Sequence, residues 1–255
     1  LAAASGESLG TTSDIVTDAL TAFSLKASDS GHFADVMAQA AASANTNVGL
    51  MGETFKYVGT MAGSLGYSIE DVSLAVGLMA NAGLKGSMAG TSLNAMFTRL
   101  STNTNGATDA IRELGVEFFN SDGTARKLSD VMGELRTATA GMSAEQKSNL
   151  AYTVAGMEAQ KGLLAILNAS EEDYNNLSEA INNADGASKR MADTMLDNLS
   201  GKWTMFQSAL DGVKIALAER MEPYLMKGLE WLTEHMPDLE NALLSGAKRI
   251  EDFVS

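Results

Sequence analysis

The densest group of proton-moving side chains in this 255-residue chain is the run Glu171-Glu172-Asp173. Paired carboxylates serve as general acid and base when burial keeps one protonated and leaves the other ionised. This run directly follows Ser170, and a serine followed by acids is how a helix begins. The hydroxyl caps free amides and the carboxylates meet the positive end of the dipole. Its expected role is therefore structural. His32 and His235, the two histidines, lie in opposite halves of the chain. A zinc site would need a further ligand and the meeting of distant segments, so both are expected at a surface or an interface. The turn Asn120-Ser121-Asp122-Gly123 offers oxygen ligands but is too short for a calcium loop and lacks the distal bidentate glutamate. With no cysteine, disulfides, thiolate nucleophiles and cysteine-based metal clusters are excluded. The 15 methionines fall mostly at helical spacing, where filling a core is the expected use. No catalytic, cofactor-binding or metal-binding residue is expected, and no cofactor.

Motifs for known chemistries are missing as well. The sequence contains no G-x-S-x-G elbow, no phosphate-binding G-x-x-x-x-G-K-[ST], no H-E-x-x-H and no dinucleotide fingerprint. Its 18 basic and 32 acidic residues give a formal net charge of −14. Both halves are acidic: residues 1–127 carry 7 basic and 12 acidic groups, and residues 128–255 carry 11 and 20. Phosphate recognition depends on Lys and Arg, so direct nucleic-acid recognition and binding to anionic membranes are both disfavoured. No run approaches the ~20 apolar residues of a membrane span. The opening LAAASGESLG has no basic leader, which argues against a signal peptide, and no Met, as expected of a segment of a longer chain.

The elements that would carry these residues read as helices. Two prolines, 6% aromatics and abundant Ala, Gly, Ser and Met favour helices packed closely through small side chains. Ile15, Val16, Ala19, Leu20 and Phe23 share one helical face, as do Phe33, Val36, Met37, Ala40 and Ala44. Met51, Phe55, Val58 and Ala62 stack one turn apart over 47–65, and Gly66 ends that helix. Ser68 caps the next, with Glu70 and Asp71 in its first turn and Gly83 as its stop. Gly86 and Gly90, one turn apart, open a helix running to Leu100 and invite close approach of a neighbour. A short helix ends at Gly115. Val116 to Leu128 around the Asp122-Gly123 turn then reads as a small β-hairpin lying against the helices. Ser143 and Gln146 form a capping box, Gly156 interrupts the helix that follows, and Ser170 starts another. Asn182 to Gly186 is a loop and the expected internal boundary. Beyond it Met191, Met195, Leu199, Trp203, Phe206, Leu210, Val213, Leu217 and Met221 predict one long amphipathic helix, about 50 Å at 1.5 Å per residue. Pro223 and Pro237 punctuate two further helical stretches, the last carrying Leu239, Leu243 and Ile250.

The expected fold is thus all-α: a bundle of roughly ten to thirteen helices with a hairpin near 116–128 and a long helix near 187–222. Residues 1–185 would form the core domain and 186–255 the long helix with two shorter ones.

From Phe33 to Leu100 the sequence strongly resembles the core of bacteriophage tail-length tape-measure proteins. SLGYSIEDV at 64–72, ANAG at 80–83 and G-S-M-A-G-T at 86–91 are the most specific parts. The likeness extends upstream through SDIVTDALTAF at 13–23. Downstream it runs through ELGVEFFNSDG at 113–123, AYTVAGMEA at 151–159 and DNLSGKW at 197–203. Glycines 66, 83, 90, 115 and 156 are family-like, as helix stops and close contacts rather than as a ligand site.

The resemblance implies a helical, non-enzymatic virion protein. Tail-tube subunits polymerise around such chains, whose length sets that of the tail. The family occupies the tube lumen with the help of assembly chaperones, meets tail-tip proteins, and leaves ahead of the DNA. It would be made in the host bacterial cytoplasm, and self-association through the 187–222 helix is a further expected contact. This chain is expected to be an excised core fragment, without the apolar and wall-degrading segments of some members. Compact glycine-capped helices suit a bundle, whereas a ruler inside a tube is extended, so the isolated segment is expected to differ from its form in the virion. Two other classes fit a helical chain: a lysozyme-like peptidoglycan-active enzyme carried in the tail, and a host helical scaffold or adhesin.

Overall fold

The computed structural model describes residues 1–197, 206–207, 209–217, 220–224, 226–231 and 233–236. In chain order the α-helices through residue 196 are α1 (Ala2–Ser5), α2 (Leu9–Ala22), α3 (Ser30–Ser43), α4 (Val48–Ser64), α5 (Ile69–Asn81), α6 (Ser87–Ser101), α7 (Ala107–Arg112), α8 (Leu128–Thr139), α9 (Ala144–Asn168), α10 (Glu171–Asn182) and α11 (Ala187–Leu196). Short 3-10 turns at Ala27–Asp29 and Thr104–Gly106 lead into α3 and α7. The chain divides into two compact units, Leu1–Met195 and Leu196–Ser255. In the second, the described residues other than Asp197 are helical.

Local side-chain caps account for five of these eleven helix starts. Ser8, Asn47, Ser68, Ser143 and Ser170 each accept an amide from three residues onward, at 2.8–3.2 Å. Gln146 returns the favour to the Ser143 amide at 2.8 Å, completing the expected capping box.

At the centre of the first unit lies α5, which packs on α3, α4, α6, α8, α9 and α10. Ile69, Val72, Leu74, Ala75, Val76, Leu78, Met79 and Ala80 are buried on every side of it, the pattern of a helix with no solvent face. Around it Phe33, Phe97 and Phe118 are the largest fully buried side chains. Methionines divide between two environments. Met37, Met51, Met79, Met96 and Met132 fill the core as expected, whereas Met88 and Met157 are exposed.

The all-α expectation holds, but the β-hairpin does not form. Phe119 and Ala125 make one isolated antiparallel bridge, and no strand develops on either side among the described residues. The Asp122-Gly123 turn is present: the Asn120 amide donates to the Thr124 carbonyl at 2.8 Å and the Arg126 amide to that of Phe118 at 3.0 Å. A ladder would need more chain on the return side. That chain is taken by α8, which begins at Leu128. Val116 and Phe118 keep their alternating inward direction, but they pack on helices rather than on a facing strand.

The long helix is also interrupted. α11 ends at Leu196 and Asp197 is a bend, while helix is found again over 206–207, 209–217 and 220–224. Residues 198–205, with Leu199 and Trp203, lie outside the described residues, as does the last expected stretch over 239–250.

Candidate functional site

The segments most like the tape-measure core meet at one buried node. In SLGYSIEDV, Tyr67 packs against Phe97 of α6 with the rings tilted by 46° and their centroids 5.0 Å apart, and meets Phe118 of ELGVEFF edge-on at 6.3 Å. Burial, with the Asp71 charge nearby, pushes the Tyr67 phenol far above its ordinary pKa, so it remains a neutral hydroxyl. One turn on, Asp71 is only 4% exposed. Its carboxylate accepts the amides of Leu128 at 3.3 Å and Ser129 at 3.2 Å, capping α8 from α5. Tyr174 of α10 donates its hydroxyl to the Ser129 carbonyl at 2.5 Å, and burial pushes this phenol up to about 12. The Arg136 guanidinium lies 4.5 Å over the Tyr174 ring and donates to the Ala169 carbonyl at the end of α9. Asp71, Tyr174 and the Arg136 bond to Ala169 join helices here, whereas the Tyr67 hydroxyl and Arg136 Nε are buried without a hydrogen-bond partner.

A second node involves AYTVAGMEA and the glycines of α6. At Gly156, α9 breaks with φ 78° and ψ 172°, a conformation essentially reserved for glycine. Carbonyls beside the break accept from Arg99 of α6 instead, Thr153 at 3.0 Å and Val154 at 3.3 Å. Gly90 permits the crossing of α6 over α4. A Cβ there would stand 2.6 Å from the Thr54 carbonyl oxygen. The Thr54 hydroxyl, fully buried, donates to the carbonyls of Leu50 and Gly86.

Each residue singled out for chemistry has a place. Glu171, Glu172 and Asp173 form the exposed first turn of α10, and Asp173 receives the Ser170 hydroxyl at 2.7 Å. Asp122 accepts the Thr124 amide and hydroxyl, at 3.0 and 2.6 Å, within its own turn. His32 on α3 pairs with Glu70 of α5 and lies 3.7 Å from Asp185. Its hydrogen bond to Glu70 raises its pKa against the opposing effect of burial, with the charges of Glu70, Asp185 and Asp35 adding to the rise. His235, in the second unit, stacks on Trp231 at 4.6 Å and donates from Nδ1 to the Trp231 carbonyl. Among the described residues no three His, Asp or Glu side chains converge as a metal-ligand set. No described helix is long and apolar enough to cross a membrane. Gly66, Gly83 and Gly115 take positive φ beyond helix ends.

Three residues that organise these nodes escape a sequence reading. Asp71 reads as a first-turn acid, yet it also caps a helix 57 residues away. Arg99 reads as a last-turn cation. Asp35, on α3, accepts the amides of Gly186 at 2.7 Å and Ser188 at 3.0 Å, together with the Ser188 hydroxyl. The available signal is negative: α8 and α11 start after Lys127 and Gly186, neither of which can cap a helix through a side-chain oxygen.

Long-range caps from Asp35 and Asp71 and close glycine contacts at Gly90 and Gly156 join these helices into one packed unit. The phage-related minor tail protein family matches residues 1–156. The chain belongs to that family, and so to the structural components of phage tails. It is 37% identical over 253 residues to the tape measure protein of Pneumococcus phage Dp-1, covering 99% of this chain and 22% of that protein. It is 29% identical over 223 residues to the probable tape measure protein of Escherichia phage P2, covering 86% of this chain and 27% of that one. The chain therefore spans about a quarter of the length of these relatives. No solved structure matches it.

Proposed function

We propose that this chain is a segment of a tape measure, setting tail length and scaffolding the polymerisation of the tail tube, and released during genome delivery. The similarity to a tape measure protein along 99% of the chain carries this reading. The scaffold-like use of its buried polar groups supports a non-enzymatic role. The contacts that follow are tail-tube subunits in the tube lumen, assembly chaperones and tail-tip proteins, after synthesis in the host bacterial cytoplasm. A net charge of −14 supports passage through the same tube as DNA without direct nucleic-acid recognition. Residues 1–185 act as the core and 186–255 as the helical segment that follows. Self-association through 187–222 uses Leu210, Val213, Leu217 and Met221, which are 44–65% exposed. The bundle is the form in solution, and the chain is extended within the tube.

The test is an in-frame deletion of this segment from its parent gene, with tail length measured by electron microscopy. As continuous helix, 255 residues span about 380 Å at 1.5 Å per residue. Tails shortened by an amount near that are the expected result. Tails of unchanged length would overturn the ruler role.

A further inference from the structure

α11 begins without a cap of its own. Gly186, at its head, has φ 73° and no side chain, unlike the serines that start α5, α9 and α10. The cap comes from 151 residues earlier, where the two carboxylate oxygens of Asp35 take the Gly186 and Ser188 amides. Ala187 is its single buried residue. Where α3, α4, α5, α6, α8 and α9 each bury five or more residues, α11 buries one, in its first turn. It is also the last element of that unit, where the chain leaves toward residue 196.

We propose that Asp35, with His32 one turn before it on α3, forms a latch that keeps the first turn of α11 on the core, and whose opening frees α11 while α3 and α5 stay folded. His32 and Asp35 are three residues apart and so share a helix face. His32 faces Glu70 from α5, Asp185 from the loop before α11, and Asp35 from its own helix. Asp29, at the head of α3, lines the same cleft of about 240 Å³ as His32 and Glu70. From α10, packed on α3, the charged group beside that contact is Glu179. On α11, Arg190 lies near Asp35 and donates to the Asp185 carbonyl at 2.7 Å, while Lys189 pairs outward with Asp193. His32 is thus the titrating cation among carboxylates from three elements. Neutral, it leaves Glu70, Asp185 and Asp35 facing one another with Arg190 as the nearby balancing charge, and the loop bearing Asp185 is pushed away. At the acid end the latch opens by a different route. Burial pushes Asp35 up, but the Ser188 hydroxyl and the Gly186 and Ser188 amides outweigh it and hold the carboxyl below its ordinary range. Protonation then removes the charge and turns one of the two accepting oxygens into a hydroxyl donor, so the two-amide clamp is lost. The latch is therefore closed between these two titrations.

Amide hydrogen exchange of the 255-residue chain reads the latch directly, with intrinsic pH effects removed by using protection factors. Protection at Ser188 and Arg190 is expected to fall about tenfold between roughly pH 6 and pH 8.5, while Val72 and Val76 in α5 hold theirs. His32→Gln abolishes that fall, and Asp35→Asn lowers Ser188 and Arg190 protection across the whole range. Should Asp35→Asn fail to fold, Ser188→Ala removes one partner of the clamp without touching α3 and is expected to act in the same direction. The proposal is overturned if α11 and α5 amides lose protection together in the variants. It is equally overturned if the pH-dependent fall persists in His32→Gln, or if neither clamp variant changes α11.

Discussion

The Arg99 guanidinium lies against the α-carbon of Gly156, so that a Cβ built there would meet its Nη1 at 3.3 Å. One residue makes the break in α9 and the other satisfies the carbonyls that the break leaves open. Gly156→Ala is expected to cost about 1–3 kcal/mol, because its backbone lies where only glycine is unstrained. Arg99→Met, which leaves the Thr153 and Val154 carbonyls without their donor, is expected to cost about 1–3 kcal/mol. The pair shares one structure, so urea denaturation of the double variant should show less than the sum.

Close helix approach can be checked with glycines that differ in their surroundings. A Cβ at Gly63 would fall 2.0 Å from the Ala22 carbonyl oxygen, and one at Gly90 would fall 2.6 Å from that of Thr54. Alanine at either position should destabilise by about 1–3 kcal/mol, since backbone must move. Gly31, within α3, has nothing within 4 Å of such an atom. Gly31→Ala should instead stabilise by roughly 0.5 kcal/mol through helix propensity. Thermal melts of the three variants decide the matter, and equal effects would argue against the packing described.

Asp71 is the buried carboxylate on which α8 depends. Asp71→Ala removes the acceptor for two amides and is expected to cost about 1–3 kcal/mol. Loss of ordered signals should concentrate in α8 and in the Tyr174 contact to Ser129, measured as chemical-shift changes against an unaltered α3.

The stability of the first unit should also depend on pH through His32. Its folded pKa is raised, so its contribution is fully present below the ordinary value near 6.5 and is lost as pH rises through the folded one. Denaturation midpoints should therefore decline from slightly acid to mildly alkaline pH, and His32→Gln should flatten that decline. A decline of undiminished size in the variant would assign it to other groups.

Sequence reached local causes and missed distant ones. Ser68, Ser143 and Ser170 announce their helices because cap and amide are three residues apart. The Asp122-Gly123 turn was legible for the same reason. Its extension into a hairpin was not, since what stops the ladder is the start of α8 at Leu128, a competing use of the same chain. The apolar spacing across Leu196 to Trp203 predicts one helix, of which the described residues show α11 ending at Leu196 and a bend at Asp197. Asp35, Asp71 and Arg99 could not be read as partners of Ser188, Leu128 and Thr153, because nothing in one segment encodes the other. The uncapped starts after Lys127 and Gly186 pointed only to a missing donor of acceptors.

The sheathing of α5 on all sides has a mechanical meaning. Tension applied to the ends of the first unit cannot draw α5 out while α3, α6, α9 and α10 stay in place around it. Force spectroscopy should therefore record the core as a single rupture rather than a series of small yields. The slack released would be large: 195 residues drawn out as continuous helix reach about 290 Å. Once α11 has come away, the rest of that length is held or released as one piece.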